Sequence, residues 1–178
     1  MAEEKKEPWM SWLALTTIIL AVCATLSTFK GGGYSTRSIL AQNKASNQWS
    51  YFQSKSIKGY LYENQKEQLE MELLQKRDSL EPGVRAEFEK RIVEHSARLK
   101  RYAEEKETIM KEAKALEAER DGAQLHSAAF GKAVIFLQIS ILLSSVAALL
   151  KRKRVYYLGL AAGVVGLAAF ANGFWLFM

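Results

Sequence analysis

Charge is segregated along this chain, and that segregation constrains the fold more than any other feature. Residues 8–29 carry no charged side chain. Residues 30–132 carry 19 Lys/Arg and 16 Asp/Glu, 133–150 carry none, 151–154 are all basic, and 155–178 carry none. A water-soluble domain interleaves apolar and charged residues on the short period of its helices or strands. Uncharged runs of this length match instead the ~20 residues with which a helix crosses about 30 Å of hydrocarbon. The expectation is an all-α membrane protein with spans at 9–29, 133–150 and 155–178. Pro8 suits a first helical turn. Trp9 and Trp12 at one border, and Phe174, Trp175 and Phe177 at another, suit interfacial belts.

The first run admits a second reading, a cleaved signal peptide with Val22-Cys23-Ala24 as its site. Leu20 to Cys23 also approaches a lipoprotein box, with Val22 where a small residue is needed. The apolar run continues past both sites to Phe29, which favours an uncleaved anchor.

The net charge of +6 comes mostly from Lys151, Arg152, Lys153 and Arg154. Four adjacent cations in a short loop are topology determinants and belong in the cytoplasm. Residues 1–8 then form a cytoplasmic N-terminus, 151–154 a cytoplasmic loop, and 30–132 the periplasmic part. Lys30, Arg37 and Lys132 stand at the membrane ends of 30–132 and argue for the inverse arrangement. The pattern gives no nucleic-acid motif.

Between the first two spans the chain reads as a long antiparallel coiled-coil hairpin. Gly31-Gly32-Gly33 is expected to act as a hinge on leaving the first span. The tip is Glu81-Pro82-Gly83, between arms at 35–80 and 84–130. Each arm would run about 70 Å as a helix. In the second arm, steps of four and three connect Phe88, Ile92, His95, Leu99, Tyr102, Lys106, Ile109, Ala113, Leu116, Arg120 and Ala123. That is coiled-coil periodicity. The first arm offers Leu69 and Leu73 near the tip and is otherwise irregular. Ile57, Leu61, Met71 and Leu74 fall off any single stripe, so a homo-oligomer is expected. The aromatic and basic stretch 44–62 admits either a lipid-surface role or the thick base of a bundle.

In the third span, Gly159, Gly163 and Gly166 form a small-residue face for membrane helix packing. The pattern leaves open whether that face meets the second span or another subunit. No ionisable residue lies inside a span, which argues against a proton relay. Gln138 reads as an interhelical hydrogen bond or, less simply, as a pore lining. His95 reads as a tolerated polar seam residue or a pH switch. His126 reads as a solvated, membrane-proximal histidine. One cysteine and two histidines make no ordinary zinc site. No catalytic constellation, metal site or cofactor is implied.

The run from Leu13 to Arg37, LALTTIILAVCATLSTFKGGGYSTR, resembles a bacterial family known as domain of unknown function 4337. So does ASNQWSYFQSKSIK, from Ala45 to Lys58. The likeness extends over essentially the whole chain and implies a bacterial inner-membrane location. It brings no activity, ligand or catalytic residue. The functional expectation is therefore a non-enzymatic, oligomeric inner-membrane scaffold or assembly protein. Its partners would be the lipid bilayer, copies of itself and other membrane or envelope proteins. The alternative is a channel or transport-associated protein with pore-lining spans.

Overall fold

A computed structural model describes residues 8–76 and 80–177. These form three helices: α1 (Pro8–Gln75), α2 (Pro82–Leu150) and α3 (Lys153–Trp175). No strand occurs among the described residues. Each helix contains a window long and apolar enough to cross a membrane. Pro82 opens α2, where its missing N–H costs nothing and its fixed φ suits the helix. Residues 77–79, in the first predicted arm, lie outside the described set.

The hinge expected at Gly31-Gly32-Gly33 is overturned, because α1 runs through all three residues without a break. Three glycines weaken a helix by about 1 kcal/mol each, and at Gly31 a close helix contact offsets part of that loss. A Cβ on Gly31 would stand 3.1 Å from the Phe130 Cβ, so glycine lets α1 approach α2 closely there. The Ser127 hydroxyl also donates to the Gly31 carbonyl at 3.1 Å. Near hydrocarbon, moreover, a broken helix would leave backbone groups unpaired at a cost of several kcal/mol each.

The chain divides into two compact units, one of residues 1–40 and 119–178, the other of 41–118. In the first unit, Leu13, Ala147 and Tyr156 form one buried cluster, with Trp9 and Leu160 against it. Leu20, Ala24, Ala133 and Leu137 form another. Three serines of the apolar windows turn into the packing: Ser27, Ser140 and Ser144 are fully buried or nearly so.

The turn between α2 and α3 is tighter than the predicted 151–154 loop. Arg152 N–H reaches the Ala147 carbonyl and Lys151 N–H the Ala148 carbonyl. This is the Schellman arrangement, which requires a left-handed residue between the two donors' helix and the exit. Lys151 occupies that position with φ 49°. Lys153 and Arg154 already belong to the first turn of α3.

In the second unit, all second-arm seam positions are buried or half-buried, from Phe88, Ile92, Leu99 and Tyr102 to Ile109 and Leu116. Leu69 and Leu73 are half-buried as well. Neighbouring positions are mostly exposed and charged, with i,i+4 pairs such as Lys66–Glu70, Arg85–Glu89 and Glu107–Lys111. Exposed pairs of this kind support their helices only weakly.

Candidate functional site: the membrane packing face and the helical seam

The small residues of α3 make one contact surface. A Cβ on Gly159 would stand 3.2–3.3 Å from Leu143, Ser140 and Ser144. On Gly163 it would stand 2.9 Å from the Ser140 Oγ and 3.3 Å from Leu20, and on Gly166 2.8–2.9 Å from Leu137, including its backbone nitrogen. Gly173 faces the Phe130 ring at 2.6–2.8 Å in the same sense. This face is thus occupied by α2 of the same chain, with Leu20 of α1 beside it. Of the two partners left open by the glycine pattern, the second span is the one in contact.

Hydrogen bonds reinforce the glycine contacts. The Ser140 hydroxyl donates to the Gly159 carbonyl at 2.6 Å, in a fully buried setting. Thr16 and Tyr156 share a hydroxyl contact at 3.3 Å. At the opposite border, His126 Nδ1 lies 2.8 Å from the Gly173 carbonyl, so the ring carries its proton on Nδ1. Tyr34 stacks on the His126 ring at 4.5 Å. Phe130 makes edge contacts with Phe170 and Phe174. His126 is therefore a half-buried helix fastener rather than a solvated residue. No spacing signal could mark it, because its acceptor is a backbone carbonyl 47 residues away.

The basic residues cluster at the other end of the spans and are all exposed. Lys153 Nζ lies 5.9 Å from the Trp9 ring centroid, which brings the start of α1 to the start of α3.

In the second unit, α1 presents its own regular frame, which composition concealed. Its inward positions are Ala41, Ala45, Gln48, Phe52, Lys55, Gly59, Tyr62, Lys66, Leu69 and Leu73, again in steps of four and three. Gln48, Lys55 and Tyr62 each meet a group on α2, whereas Lys66 pairs with Glu70 along α1 itself. Gln48 donates to Glu112 at 2.9 Å, and Trp49 beside it donates to Glu117 at 2.9 Å. Lys55 Nζ pairs with Glu105 at 2.6 Å and lies over the Tyr51 and Tyr102 rings. Arg98 donates to the Tyr62 hydroxyl at 2.6 Å. His95 sits edge-on to Tyr62, with its buried Nδ1 unpaired. Hydrogen bonds from Lys55 first and Arg101 second hold the Glu105 carboxyl below the ordinary carboxylate range.

A second, outward frame runs along α1 between charged flanks. Asn43, Asn47, Ser50, Ser54, Ile57, Leu61, Asn64, Gln68, Met71 and Gln75 follow the same spacing, and all are exposed. None carries a charge, although the segment around them holds Lys44, Lys58, Glu63, Glu67 and Glu72. In the first unit, Gln138 is likewise exposed.

Among the described residues, no group of three or more His, Cys, Asp or Glu is arranged to hold a metal ion. Neither curated proteins nor solved structures give a match to this chain. The family described as domain of unknown function (DUF4337) matches residues 9–176, nearly the full length. The chain belongs to that family.

Proposed function

We propose that the chain is a non-enzymatic scaffold of the bacterial inner membrane, built from copies of itself. Each copy would project α1 and α2 as an antiparallel coiled-coil hairpin on the periplasmic side. The pairs Gln48–Glu112, Lys55–Glu105 and Tyr62–Arg98 support the hairpin, since rising numbers on α1 meet falling numbers on α2. The four cations at 151–154 support the orientation.

The observation that carries self-association is the uncharged outward frame of α1. Ile57, Leu61 and Met71 are 68%, 56% and 59% exposed on a segment read as lying in water. Exposed helix faces of soluble regions are normally charged. A frame that excludes charge over nine or so turns while charge abounds beside it fits another helix. Its Asn, Ser and Gln members can pair with their own kind, as buried Asn does in coiled-coil seams. The test is the mass of the chain in mild detergent by light scattering. The scaffold reading requires a multiple of the 20.1 kDa chain. It also requires Leu61→Glu to lower that mass. A monomeric wild type would refute it.

The channel reading retains one specific observation. Gln138 and Ser145 are exposed two turns apart on α2, so in an assembly they could face a shared pore. Ion flux through proteoliposomes, abolished by Gln138→Leu, would favour a channel over a scaffold.

A further inference from the structure

The strongest unassigned feature is a groove of about 630 Å³ on α1, where the first span ends. Gly32 and Gly33 form its floor, and a Cβ on either would meet nothing within 4 Å. Phe29, 77% exposed, bounds it toward the span. Lys30 and Arg37 line it, with Tyr34 between them. Residues seven apart on a helix share a face, so the two cations flank the groove on one side.

Depth identifies what meets this groove. Gly31 and Gly173 both contact Phe130, which sets one border of the helical packing. Tyr156, beside Leu13 and Trp9, sets the other. The two levels are separated along α3 by about 26 Å of helix rise, close to the ~30 Å of a hydrocarbon core. A bilayer matched to those two levels would place Lys30 at the hydrocarbon edge. Arg37, two turns on, stands about 10 Å further out, at the far side of the headgroup layer.

We infer that this groove binds the phosphate headgroup of one anionic phospholipid. An acyl chain would run along Phe29, and the phosphate would sit over the glycines between Lys30 and Arg37. Arg37 gives its Nε–H to Glu119 at 2.8 Å and remains 61% exposed, so its terminal nitrogens stay available for a phosphate oxygen. The glycines matter because they let a headgroup reach the backbone, which a larger side chain would block. Lys30 contributes charge at the depth of the phosphate. The competing occupant is a second copy of the chain, because Gly33 continues the outward frame of α1 toward the membrane.

The test is native mass spectrometry of the full chain in detergent. Phosphatidylglycerol and phosphatidylcholine of matched acyl chains are added in equal amounts. The wild type should retain phosphatidylglycerol preferentially. Lys30→Gln should lower that retention about fivefold, the usual contribution of one cation near an anionic surface. Gly33→Leu keeps both charges, enters open space and should also lower it by filling the groove. Equal retention of the two lipids by the wild type would overturn the inference. So would a preference that survives both substitutions. A Gly33→Leu chain that changes assembly mass while keeping its lipid preference would assign the groove to a second copy instead.

Discussion

Replacing Gly166 by Ala probes the packing of the spans with the smallest possible change. The new Cβ would lie 2.9 Å from the Leu137 backbone nitrogen and 2.8 Å from its Cγ. A backbone atom cannot swing aside as a side chain can, so α2 and α3 must separate by about half an ångström. Gaps of that size forfeit a quarter or more of each dispersion contact, and overpacking costs about 1–3 kcal/mol. Alanine's better helix propensity returns up to about 1 kcal/mol. The net loss is about 1–2 kcal/mol, a factor of 5–30 in the folded-to-unfolded ratio. Gly32→Ala is the control: its Cβ meets open space, so only the propensity gain remains. Denaturant titration in mild detergent, followed by tryptophan fluorescence and helicity, should move the two variants in opposite directions. A Gly166→Ala chain as stable as the wild type would refute the close approach of α2 and α3.

Three further outcomes follow from the same geometry. Glu105 has a depressed pKa through Lys55 and Arg101, so its contribution is present above the ordinary carboxylate range and lost as pH falls through the depressed value. Acid should therefore loosen the helices near Glu105, read as hydrogen exchange of that segment, and Glu105→Gln should remove that pH dependence. Lys151→Gly should stabilise the α2–α3 turn by about 1 kcal/mol in thermal unfolding, since Lys151 holds a left-handed φ that glycine adopts freely. A reporter active only outside the cytoplasm should be active when fused near Gly83 and silent at Lys153. The reverse would show that Lys30, Arg37 and Lys132 outvote the basic turn.

The residues explain what the sequence made legible. The candidate spans were plain because lipid tolerates no charge at full depth, and 133–150 and 155–178 are free of it. The α2 seam was plain because Phe88, Ile92, Leu99 and Ile109 are large and apolar. The matching frame on α1 was not, because Ala41, Ala45, Gln48, Lys55, Gly59 and Lys66 do not look like interior residues. Lys55 stands inward because Glu105 on α2 neutralises it, and a partner on another helix leaves no mark on local periodicity. The triple glycine misled for a related reason. Glycine signals a break by local propensity, whereas Gly31 serves the approach of Phe130. The glycine face of α3 was recognisable from its spacing, but its partner was not, because small residues state only that something comes close.

Cysteine scanning from Ile57 to Asn64, one substitution at a time in a Cys23→Ser chain, tests self-association most directly. Oxidation in native membranes should link chains at Ile57, Leu61 and Asn64, on the outward frame, and leave Lys58, Gly59 and Tyr62 unlinked. Crosslinks without that spacing, or dimers at Gly59 and Tyr62 instead, would contradict the account by showing that the outward face of α1 is not where copies meet.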